Sequence, residues 1–412
     1  MRRTPPAGHA PTLAACFLHF DVSFMLWVLL GALGVFIAEG LNLGPGERAL
    51  VVAVPILSGS LLRVPFGLLA DRLGARRVGT VMLASLYVPL VLGWVAGDSL
   101  GQLLAIGLML GVAGASFSVA LPLASRWYPP ERQGLAMGIA AAGNSGTVLT
   151  NLIAPRLAAA YGWHAVMGFA TIPLTIALVG FVLLARESPG RSTTPLARYV
   201  RAVKRADLWS FCALYAITFG GYVGLTSFLP ILLRDQYAVS AVTAGSLTAL
   251  VACVGSLSRP AGGYLADRIG GSGLLAWLLA AIVLTYGASA AGPSLALLVF
   301  TWMAGMACLG LGNGAIFQMI PQRFRDEIGL VTGIVGSIGG VGGFVLPMVL
   351  GRARAVSGSF APGFLALSCL TVAGLVLLLR YRRAENSGRT AHVPRPDADA
   401  VARGVRPVLG SD

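Results

Sequence analysis

Apolar residues in this chain run in long blocks and do not alternate with polar ones. Twelve stretches of roughly 20 mainly apolar residues, the length that crosses a ~30 Å hydrocarbon core, begin near Leu13, Leu50, Val78, Leu100, Gly134, His164, Leu208, Val242, Leu274, Ser294, Gly329 and Pro362. The pattern predicts an all-α membrane protein with twelve transmembrane helices. The first run is too long, and too interrupted by polar residues, to read as a cleaved signal peptide. Composition supports the same class: 56% of the residues are hydrophobic and 11% charged, against ~25% charged in soluble domains.

A net charge of +14 raises the question of nucleic acid, and the distribution of the charge argues against it. Arginines gather in every second loop: Arg72, Arg76 and Arg77; Arg126 and Arg132; Arg186 to Arg205; Arg268; Arg323 and Arg325; Arg380 to Arg383. The loops between carry isolated arginines, with Arg352 and Arg354 the main exception. This positive-inside pattern predicts a multi-pass inner-membrane protein with both termini cytoplasmic. Cys16, Cys212, Cys253, Cys308 and Cys369 lie inside apolar runs without metal-ligand spacing, and are expected to be small packing residues.

The chain divides in two. A polar stretch reads as a cytoplasmic linker (186–206) between two six-helix bundles (13–185 and 207–383), with tails at 1–12 and 384–412 expected to be disordered. The segment Gly59-Ser60-Leu61-Leu62-Arg63 through Gly74 aligns with Gly255-Ser256-Leu257-Ser258-Arg259 through Gly270 at an offset of 196, with ten of 16 positions identical. A second match, at offset 195, joins Gly134-Leu135-Ala136-Met137-Gly138-Ile139 to Gly329-Leu330-Val331-Thr332-Gly333-Ile334. Related halves put a substrate site at their interface near the bilayer midplane.

Depth locates that site. Arg63 and Arg259 each precede a helix-terminal aspartate, Asp71 and Asp267, by eight residues, or roughly 12 Å of helix. A cation at that depth is costly unless it faces a cavity and finds partners. Two forked guanidinium groups suit a small planar oxyanion, and the only lysine, Lys204, is in the linker. Pairing of each arginine with an internal carboxylate is the competing reading. Phe117, Tyr215 and Phe219 fall at similar depth, where they can flank a flat anion or simply pack. Asn144 is polar and mid-membrane, and is expected to contribute a donor. Glycines in helix 5 (Gly143, Gly146) and helix 11 (Gly333, Gly336, Gly339, Gly340, Gly342, Gly343) leave room for an anion and for rocking of the halves; tight packing accounts for them equally well. Asp21, a carboxylate deep in the first run, is the candidate for neutralising the empty site or carrying a coupled proton.

Among alternatives, an enzyme would need a metal-spaced cluster or a nucleophile beside a base, and neither is present. No phosphate-binding loop supports ATP-driven transport. No sizeable cytoplasmic signalling domain supports a sensor. No cofactor or metal is expected.

Leu62-Arg63-Val64-Pro65, Ser258-Arg259-Pro260, the glycine-rich stretches of helices 5 and 11, and Gly67-Leu68-Leu69-Ala70-Asp71-Arg72-Leu73-Gly74-Ala75-Arg76-Arg77 resemble the nitrate/nitrite porter family of the major facilitator superfamily. The likeness spans nearly all of residues 13–380. It implies the major facilitator fold, two pseudo-symmetric bundles of six helices. It also implies that Arg63 and Arg259 clamp nitrate or nitrite, with Tyr215, Phe117 and Phe219 as aromatic neighbours and Asn144 nearby. Gly67, Asp71, Arg72, Gly74 and Arg76 resemble the gating loop that stabilises one conformation against helix 11. The second-half copy departs after Gly270, where Gly271-Ser272-Gly273 replaces the basic pair. The expected function is secondary active transport by alternating access in a monomer, with Asp21 favouring proton-coupled nitrate uptake. Nitrate/nitrite antiport, or transport of another small anion such as formate, is the alternative.

Overall fold

The computed structural model describes residues 8–188, 201–324 and 328–386. Most of the tails expected to be disordered, and most of the linker, lies outside these. Every regular element among the described residues is helical. The chain runs through α1 (Ala10–Trp27, continued by Leu29–Ala32 and Gly34–Gly40), α2 (Pro45–Leu73), α3 (Ala75–Val95), α4 (Leu100–Ser125), α5 (Pro130–Ala141 and Gly146–Tyr161) and α6 (Trp163–Leu184). It continues through α7 (Ala206–Tyr237), α8 (Ala241–Ile269), α9 (Gly271–Ala290), α10 (Leu295–Arg323), α11 (Ile328–Ser357) and α12 (Ala361–Asn386). Helix α1 starts inside the expected tail because the His9 ring accepts the Thr12 N–H at 3.1 Å and Pro11 opens the first turn.

Eleven segments among the described residues are long and apolar enough to cross a membrane. The remaining one, α5, is broken by a 3₁₀ turn at Ala142–Ser145, so neither piece spans alone. Trp277, Leu183 and Leu257 are largely exposed, as lipid-facing side chains are and as water-facing ones seldom are.

The two halves pack alike. Within each, the arginine-bearing helix lies against one partner, α2 on α4 and α8 on α10, through matched glycines. A Cβ on Gly111 would stand 2.7 Å from the Gly59 nitrogen, and one on Gly310 would stand 2.1 Å from the Gly255 carbonyl. Between the halves, α2 runs along α11 and α5 along α8. Helix α11 fits between α2 and α7 because its small residues face both. Added Cβ atoms would meet Ser60 from Gly340 and Ile56 from Gly343 on the α2 side; Gly339 would meet Tyr215, and Gly342 the Ala216 carbonyl, on the α7 side.

On the side remote from the termini, three arginine contacts join the halves: Arg48–Asp235 at 2.7 Å, Arg234–Glu39 at 2.8 Å and Arg156–Ser246 at 3.0 Å. On the terminal side, the ion pairs among the described residues stay within a half, Arg126–Asp71 and Arg323–Asp207, each at 2.7 Å.

Candidate functional site

Helices α2 and α8 are both 29 residues long, and Arg63 and Arg259 occupy the same position in each. Both helices end on a glycine with positive φ, Gly74 at 101° and Gly270 at 88°, a conformation that favours glycine.

Arg63 is 1% exposed. Its Nε donates to the Gly114 carbonyl of α4 at 3.0 Å, and Nη1 donates to the Gly336 carbonyl of α11. Nη2 is buried and has no partner. The guanidinium carbon lies 5.3 Å from the Trp27 ring centroid, 5.2 Å from that of Phe117 and 5.1 Å from that of Phe219. Among the described residues no carboxylate forms an ion pair with it. Carbonyls and aromatic faces stabilise the cation without cancelling its charge, so a positive potential and a free donor remain in a dry site, where both act strongly.

Arg259 comes from the other half and is partly exposed. Its Nη2 donates to the Tyr215 hydroxyl at 3.0 Å, and its guanidinium carbon sits 5.6 Å from the Phe219 centroid. The Tyr215 and Phe219 rings are parallel, with centroids 5.0 Å apart. Phe117 stacks across the halves on Phe317 at 6.0 Å, and Phe317 meets Tyr215 edge-on at 4.9 Å. The two arginines and the three expected aromatic residues are therefore brought together.

Asn144 sits in the α5 break, 1% exposed, with neither amide atom hydrogen-bonded. One turn on, Thr147 contacts the Tyr222 hydroxyl of α7 at 3.1 Å, so this face of α5 looks across to the other half. Gly143 faces α1: an added Cβ would lie 2.8 Å from the Asp21 nitrogen. Gly339 faces the Tyr215 ring, 2.2 Å from such an atom. The Asp21 carboxylate accepts the Ser145 hydroxyl at 2.6 Å and, among the described residues, forms no ion pair with either arginine.

In the gating loop, Asp71 pairs with Arg126. Gly67 lies beside Ser118, Arg72 is exposed, and Arg76 donates to the Val182 carbonyl at 2.7 Å. The Ala75 and Arg76 N–H groups donate to Glu187. The side chains at the start of α11, where the resemblance would dock this loop, lie outside the described residues.

Trp27 and Phe317 fall outside the residues that depth singles out, yet their signal is present in the sequence. Phe20, Phe24 and Trp27 of α1 repeat as Tyr215, Phe219 and Tyr222 of α7 at offset 195, and Gly114-Ala115-Ser116-Phe117 repeats as Gly314-Ala315-Ile316-Phe317 at offset 200.

Comparison with known proteins agrees with this architecture. Residues 15–347 match the Major Facilitator Superfamily. The chain is 36% identical over 364 residues to a protein of Bacillus subtilis named nitrite extrusion protein, covering 88% of this chain and 92% of that one. It is 34% identical over 380 residues to the probable nitrate/nitrite antiporter NarK1 of Thermus thermophilus, covering 83% and 84%. It is 32% identical over 375 residues to the probable nitrate transporter NarT of Staphylococcus epidermidis, covering 90% and 96%. The crystal structure of a bacterial homologue of the human lysosomal transporter Spinster, inward-facing and occupied, superposes with a TM-score of 0.72 at 18% identity, over 93% of this chain and 98% of that one. Fold, sequence signatures and relatives agree: the chain is a multi-pass inner-membrane transporter, not an enzyme, and belongs to the nitrate/nitrite porter family of the Major Facilitator Superfamily.

Proposed function

We propose that this protein moves nitrate or nitrite across the membrane by alternating access, with the anion clamped between Arg63 and Arg259. One observation carries the reading: Arg63 is buried, has no counter-charge among the described residues and keeps one donor free, while sharing the Phe219 ring with Arg259. A monovalent planar anion supplies the missing charge and accepts from both forks. The aromatic rings keep water out and suit a flat guest. The relatives named for nitrate and nitrite support the choice of anion.

Coupling turns on Asp21. Two arginines, one aspartate and one bound anion sum to neutrality, and a titrating Asp21 would support proton-coupled nitrate uptake. Exchange of nitrate for nitrite needs no titrating group, and the Thermus thermophilus relative named a nitrate/nitrite antiporter supports this second reading.

The test is uptake of nitrate and nitrite into proteoliposomes, with and without a proton gradient, for the wild type, Arg63→Lys and Arg259→Lys. Lysine keeps the charge and loses the fork, so both variants are expected to fail. Normal uptake by either refutes the clamp. Thermal stabilisation by formate but not by nitrate or nitrite would shift the substrate to a short carboxylate.

A further inference from the structure

Asn313 of α10 plays no part in the clamp described above. It is 0% exposed, and neither its amide nitrogen nor its amide oxygen has a hydrogen-bond partner. Buried polar atoms without partners are costly and call for an explanation. Arg63 Nη2 and the Asn144 amide are orphaned in the same way, and both belong to the proposed anion site.

Two observations put Asn313 beside that site. The glycines on either side of it draw α10 against its neighbours: a Cβ on Gly312 would lie 2.8 Å from Thr218 of α7, and one on Gly314 would lie 2.1 Å from the Arg259 carbonyl of α8. Asn313 is thus held at the level of Arg259. Phe317 is four residues on, hence on the same helix face, and it contacts both Tyr215 and Phe117.

We propose that Asn313 is a specificity-determining residue: its amide N–H group donates to the bound anion from the C-terminal half, opposite Asn144. This rests on the clamp reading. Nitrate presents three oxygens and nitrite two, so donors beyond the two guanidinium forks bear most on the third oxygen, and Asn313 favours nitrate over nitrite.

The experiment measures nitrate and nitrite dissociation constants by titration calorimetry on the purified full chain, alongside counterflow in proteoliposomes. The proteins are the wild type, Asn313→Ala, Asn313→Ser and Arg63→Lys. Loss of one hydrogen bond to a charged partner predicts roughly tenfold weaker nitrate binding by Asn313→Ala, a smaller loss for nitrite, and an intermediate ratio for Asn313→Ser, which keeps a donor. An unchanged nitrate-to-nitrite ratio overturns the proposal, whether both affinities stay the same or fall together with thermal stability, as a structural amide or one bridged by buried water would give. Should Arg63→Lys abolish binding while Asn313→Ala leaves the ratio intact, the clamp stands and this inference alone falls. Absence of nitrate binding by the wild type removes both.

Discussion

Arg63 and Arg259 rest on one and the same ring: their guanidinium carbons lie 5.1 Å and 5.6 Å from the centroid of Phe219. Each arginine belongs to a different helix bundle, so this phenyl group registers the two cations against each other. Phe219→Leu keeps most of the buried volume and removes the ring face from both. Cation–π contacts in dry sites contribute on the order of 1–2 kcal/mol each, so nitrate affinity is expected to fall by roughly tenfold or more. Calorimetric titration with nitrate checks this, and unchanged affinity would show the ring to be inert packing.

Asp21→Asn separates the two modes of coupling. Asparagine still accepts from Ser145 through its amide oxygen but cannot exchange a proton. Nitrate/nitrite counterflow is expected to continue near the wild-type rate, while accumulation driven by a pH gradient is lost. Full pH-driven accumulation by this variant would remove Asp21 from the coupling step and place the coupled proton on another group.

The seam around α11 makes a graded prediction. Gly342→Ala brings a methyl group to 2.2 Å from the Ala216 carbonyl of α7, whereas Gly333→Ala meets nothing within 4 Å. Overpacking costs about 1–3 kcal/mol, so the first variant should unfold at a lower temperature in detergent and transport poorly. The second should match the wild type. Equal behaviour of the two would mean that α11 does not hold this spacing in the membrane.

The Arg48–Asp235 pair is partly exposed, with side-chain exposures of 24% and 14%. A double-mutant cycle between Arg48→Ala and Asp235→Ala is expected to give no more than about 1 kcal/mol of coupling. The coupling should shrink as salt is raised. A larger, salt-independent value would mark the pair as dry.

Much of this was legible in the sequence. Each of the twelve expected segment starts lies within five residues of a helix start, because long apolar runs in a bilayer leave few alternatives to a helix. Arg63 and Arg259 stood out because charge inside such a run is costly. The aromatic cage was only half readable: Phe117, Tyr215 and Phe219 emerged from depth, but rings are common packing residues, and only the repeats at offsets 195 and 200 mark Trp27 and Phe317. Counting residues gives height along the bilayer normal and says nothing of direction around the helix. Asp21 lies deep in its apolar run, and it turns to Ser145 in the α5 break. That break is itself tertiary in origin: Gly143 and Gly146 admit the α1 backbone so closely that a Cβ on either would collide with Asp21 main-chain atoms.

The contacts between the halves differ in kind along the molecule. Remote from the termini they include the charged pairs Arg48–Asp235 and Arg234–Glu39; in the middle Phe117 and Phe317 meet through uncharged rings. Dissolved ions screen the first kind and leave the second almost untouched. Salinity on one face of the membrane is therefore expected to act as a dial on the resting orientation of the empty carrier, set apart from the anion it carries.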